Sequence, residues 1–130
     1  MEIVFEGGKV VTALQNGHRI KTDQPLDNGG QDLAPAPFDL FMASIGTCAG
    51  IYVKSFCDRR NIPTKGIRIF QNIEYSDETH LPVDVTIDIK LPPDFPEKYR
   101  AAVVSAAELC AVKRSIANPP VFNIKTSIAN

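Results

Sequence analysis

Two thiols 62 positions apart, Cys48 and Cys110, are the residues of this chain best suited to chemistry. Cys48 lies inside an uncharged stretch from Leu40 to Val53, and Cys110 closes a run of small residues. A cysteine attacks as its thiolate, and apolar surroundings alone raise the thiol pKa and make the sulfur inert. The neighbours of Cys48 at helical spacing, Phe41, Ser44, Ile45, Ile51 and Tyr52, include no base and no cation. Any activation must therefore come from another element. A third thiol, Cys57, falls nine positions after Cys48, on the opposite face of the same helix, and reads as packing.

An odd count of three cysteines does not make a secreted disulfide framework. A bond between Cys48 and Cys110 in a reducing compartment would be transient and catalytic. His18 and His80 are remote from the cysteines, and no C-x-x-C or H-x-x-x-H spacing occurs, so no metal site is expected. A net charge of -1 gives no electrostatic case for nucleic acid or an anionic membrane. The first twenty residues lack the order of a signal peptide, and no apolar run approaches the roughly 20 residues that span a bilayer. The expected location is the cytoplasm.

The elements that must position these thiols follow from pattern. Glu2 to Glu6, Lys9 to Leu14 and His18 to Asp23 read as strands joined at Gly7-Gly8 and Asn16-Gly17, the latter a strong hairpin signal. Gln24 to Ala36 has no periodicity and reads as a long loop, a candidate lid. Pro37 opens a helix that runs to about Phe56, with Asp39 complementing its positive end. Ile67 to Tyr75 and Val83 to Leu91 are strands, the second strictly alternating. A second helix is expected from a capped start at Asp94 to about Arg114, and a last strand from Val121 to Ile128. Helices and strands are segregated, which indicates an α+β fold with a mainly antiparallel sheet in a single domain over residues 1–130.

The segment Asp23-Gln-Pro25, Gly29-Gly-Gln-Asp32 and Ala34 through Cys48, followed by Cys110-Ala-Val-Lys-Arg-Ser-Ile116, resembles the OsmC/Ohr family of osmotically induced and organic-hydroperoxide-resistance proteins. The resemblance implies an OsmC-like fold with two long central helices in an intertwined homodimer. It also implies reduction of organic hydroperoxides, and of hydrogen peroxide at lower preference, without a cofactor. In that scheme Cys48 is the peroxidatic thiol, Cys110 resolves its sulfenic acid as a disulfide, and a small thiol or dithiol restores the pair. Family members draw an activating arginine from an N-terminal hairpin, which points to Arg19. The hydroperoxide-resistance members carry a glutamate where this chain has Phe38, with Asp39 beside it, and commonly a proline where it has Ala111.

Asp39 lies nine residues from Cys48, on the opposite face of a straight helix and ~13.5 Å away along it, so it could act only through an arginine or across a dimer. Phe38, Phe41 and Tyr52 are candidates for a substrate pocket, against their plainer use as core. Two other functions fit the same residues: a non-enzymatic module holding a small hydrophobic ligand, and a structural domain whose cysteines are only core.

Overall fold

In the computed structural model, residues 1–129 are described, and the chain divides into two compact units with a boundary between Ser44 and Ile45. In the first unit β1 (Glu2–Phe5), β2 (Val11–Gln15) and β3 (His18–Thr22) form an antiparallel sheet in the order β1-β2-β3. Asn16 and Gly17 have φ of 52° and 79°, the doubly left-handed turn that suits the twist of a tight hairpin, and Gln15 pairs with His18. The side chains buried here are polar, Thr12, Thr22 and Asp23, while Phe5 and Ile3 are exposed.

The segment 24–36 is pinned from within. A 3₁₀ turn, Leu26–Asn28, opens it. Asp23 then accepts the N–H groups of Gln24, Gln31 and Leu33 at 2.8, 3.2 and 3.1 Å. Burial alone would raise this carboxyl, but the three donors, with the charge of Lys21, outweigh it and hold its pKa below the ordinary value. Gly30 is required by space: a Cβ there would sit 1.8 Å from the Gln24 carbonyl oxygen. A lid that swings freely is not what these bonds describe.

Helix α1 (Pro37–Asp58) continues from the first unit into the second. Its 22 residues, with mean hydropathy 1.4 in the most apolar window, are long and apolar enough to cross a membrane by length and composition. The uncharged run in the sequence understates this, because the apolar character carries on around Lys54. In the second unit one face of α1 serves as core: Ala49, Val53, Phe56 and Cys57 are buried with Ile62, Phe95, Val103 and Ala107.

That core rests on β4 (Arg68–Tyr75) and β5 (Pro82–Lys90), an antiparallel pair in which Ile69 faces Ile89, Gln71 faces Ile87 and Ile73 faces Val85. These are the less exposed positions of β4, alternating with exposed ones as period-two geometry requires. Gly46 lets α1 lie close to this sheet, since a Cβ there would come within 2.8 Å of Gln71 Oε1.

The expected second helix is two helices. A 3₁₀ turn, Glu97–Tyr99, leads into α2 (Arg100–Glu108), and α3 (Ala111–Ala117) begins after a break at Leu109 and Cys110. Asp94 is not its cap: Pro96, with extended ψ of 119°, holds the entry position instead. Cys110, with φ −46° and ψ 123°, is the extended residue ahead of α3 and not a mid-helix residue. The expected strand at Val121–Ile128 does not form; residues 118–129 have no regular hydrogen-bonded structure. Val121, Phe122, Ile124 and Ile128 are all strongly exposed, so β propensity is present there without a partner strand among the described residues.

Candidate functional site

The break between α2 and α3 is what makes the site. A helix leaves its first N–H groups without internal partners, and here those of α3 are aimed at a sulfur from α1. Cys48 is half-buried, Cys110 fully buried, and both are free thiols. The Val112 N–H and then the Cys110 thiol donate to Cys48, with smaller help from the Ala111 N–H and the positive charge of Lys113. Together they outweigh burial and hold the Cys48 pKa below the ordinary thiol value near 9.0. The Ile45 carbonyl oxygen, 3.9 Å from Cys110 Sγ, is the alternative acceptor for that single thiol proton and holds the second sulfur against the same turn of α1.

Cys57 shows the opposite arrangement on the same helix. It is sealed in the core, and burial first, then the charge of Asp58, push its thiol up despite Lys54 and Arg60. Its reading as packing agrees with this.

The other expected site residues have separate engagements. Arg19 pairs with Glu6, whose second carboxylate oxygen accepts the Thr12 hydroxyl at 2.8 Å. Asp39 accepts the Ala36 N–H at 3.2 Å, closing the first turn of α1 as the third-position acid of a capping box does. Phe38 and Phe41 lie with ring centroids 5.7 Å apart and are each more than 40% exposed. Tyr52 is half-buried, one turn after Cys48.

Sequence reasoning missed the donors at residues 111 and 112, because it placed Cys110 inside a helix, where such N–H groups are already bonded. One signal could have found them. A proline commonly following the second cysteine marks a helix first turn, so position 111 was a start and not an interior. It also missed an apolar cavity of about 360 Å³ whose wall includes Ile45, Ile87, Ile89, Val104, Glu108 and Lys113. Phe38, Phe41 and Tyr52 are not part of that wall. Among the described residues no cluster of His, Cys, Asp or Glu could hold a metal ion.

The chain belongs to the family of OsmC-like proteins, whose model matches residues 29–125. Among solved structures it is similar to an osmotic stress induced and detoxification response protein of Psychrobacter arcticus, with TM-score 0.72 and 22% identity over 88% of this chain and 85% of that one. It is also similar to the organic hydroperoxide resistance protein OsmC of Legionella pneumophila, with TM-score 0.54 and 16% identity over the same shares of the two chains. At these identities the likeness is one of fold, and it bears out the OsmC-like α+β architecture. No curated protein matches.

Proposed function

We propose that this protein is a thiol-dependent peroxidase of organic hydroperoxides in which Cys48 reacts and Cys110 resolves. One observation carries the reading: a half-open sulfur that receives hydrogen bonds from two helix N–H groups and from a second thiol. The family and the name of the Legionella pneumophila neighbour support the choice of substrate.

In this reading the Cys48 thiolate attacks the distal oxygen of the hydroperoxide. The O–O bond breaks, an S–O bond forms, and the alkoxide takes up a proton and leaves as the alcohol. The Cys110 thiolate then attacks the Cys48 sulfenic acid, forming the disulfide and releasing water. A small thiol or dithiol, itself oxidised to a disulfide, returns both cysteines to thiols. The α3 N–H groups supply the thiolate stabilisation that the resemblance assigned to Arg19. The active form in this reading is a homodimer in a reducing compartment, the cytoplasm.

The test uses three variants. Cys48→Ser abolishes consumption of tert-butyl hydroperoxide, and Cys110→Ser permits one round that stops at a sulfenic acid trappable with dimedone. Double replacement behaves as Cys48→Ser. Undiminished turnover in Cys48→Ser would end the proposal. A second reading, a non-enzymatic module for a small apolar ligand, is favoured by the 360 Å³ cavity. It requires Cys48 to alkylate as slowly as Cys57, whereas the peroxidase requires it to be much faster.

A further inference from the structure

An alkoxide is a poor leaving group unless a cation or proton donor meets it as the O–O bond opens. The N–H groups of Ala111 and Val112 are already directed at the sulfur. Of the charged side chains, Arg19 is held by Glu6, Lys54 by Asp58 and Lys90 by Asp88, and these are the ion pairs among the described residues. Lys113 belongs to none of them. It is half-buried in the first turn of α3, next to Val112 and three residues after Cys110. Its side chain lines the apolar cavity together with Ile45, whose carbonyl contacts the Cys110 sulfur. Glu108 is the other charged residue on that wall, but it is exposed and forms no ion pair with Lys113.

A half-buried cation in an apolar wall is costly without a counter-charge. The Cys48 thiolate is one counter-charge that Lys113 influences, and as that sulfur is consumed the negative charge developing on the leaving oxygen takes its place. We infer that Lys113 is a further catalytic residue, the cation that meets the oxygen leaving the peroxide; the assignment rests on the peroxidase reading above. As Cys48 takes the distal hydroxyl and becomes a sulfenic acid, the Lys113 ammonium donates a proton to the proximal oxygen. The alcohol departs, and solvent returns the proton to the amine. The cavity wall then selects an apolar substituent on the peroxide, and Lys113 acts only at the O–O bond.

Two reactions of one sulfur separate this role from a structural one. Alkylation by iodoacetamide needs the thiolate but expels iodide, which requires no proton. Reduction of tert-butyl hydroperoxide needs both the thiolate and the donor. Lys113→Met is expected to slow sulfenic acid formation by roughly 10²- to 10⁴-fold, the usual worth of a positioned acid. Alkylation of Cys48, followed by peptide mass, stays within about tenfold, since one partly solvated charge influences a thiol modestly. Lys113→Arg keeps the charge and regains part of the lost rate. Lys113→Gln repeats the experiment if methionine disturbs α3. Equal loss in both reactions, or loss in neither, overturns the role of Lys113 while leaving the peroxidase standing. A wild-type chain that does not reduce the peroxide overturns both.

Discussion

Ala111 opens α3, where the backbone accepts proline but where proline would have no N–H to offer the Cys48 sulfur. Ala111→Pro therefore isolates one hydrogen bond to a thiolate with little cost to the helix. A bond of that kind to a charged group is worth about 1.5 kcal/mol at the low end, so alkylation of Cys48 at neutral pH should fall roughly tenfold. Its rate profile should shift toward higher pH, because the thiol pKa, now held below 9.0, loses one of the groups that lower it. Stopped-flow labelling across pH 5 to 10 reads both effects. An unchanged profile would mean that the Val112 N–H and the Cys110 thiol suffice.

Among elements, the loop 24–36 makes the sharpest claim, because a single buried carboxylate organises it. Asp23 has a folded-state pKa depressed below about 3.8, so it stabilises the fold fully above the unfolded value and that contribution disappears as pH falls through the lower folded one. Thermal unfolding should thus show stability falling below about pH 4. Asp23→Asn should be less stable than wild type at pH 7, with a shallower fall in acid. Equal slopes in the two proteins would place the acid dependence elsewhere.

The same scale shows what the sequence conveyed. The hairpins, α1 and the β4–β5 pair were legible because period and turn chemistry are local: Asn16-Gly17 and the alternation from Val83 to Ile89 admit few alternatives. The α2–α3 break was not legible in this chain's own residues, since Leu109 and Cys110 carry no glycine or proline to announce it, and only the family's proline after the second cysteine points to it. The extended residue there is set by contacts such as that of Cys110 with Ile45, 65 positions away. The two cysteines were singled out by type and by resemblance; the groups that tune Cys48 are backbone N–H donors, which any residue but proline supplies, and residue identity does not mark them.

For the molecule as a whole, the segment from Val121 to Ile128 carries a strand's alternation but leaves its backbone unpaired, and Phe5 and Ile3 of the first sheet are exposed as well. The two-stranded β4–β5 sheet has two open edges. Unpaired edges and exposed apolar segments are what association satisfies. The homodimer in the proposed function therefore predicts a solution mass of about 28 kDa by light scattering, twice the 14.2 kDa chain. Deletion of residues 119–130 should weaken that association, seen as a concentration-dependent mass. A 14 kDa species at every concentration in the intact chain would exclude the dimer.

One consequence of the contrast along α1 concerns how the molecule ages under oxidants. Nine residues apart on a single helix, one sulfur is half-buried with its pKa held down, and the other is enclosed with its pKa pushed up. Overoxidation to sulfinic acid should then accumulate at the first while sparing the second. The fold would outlive its reactivity, leaving intact but spent protein in place of aggregates.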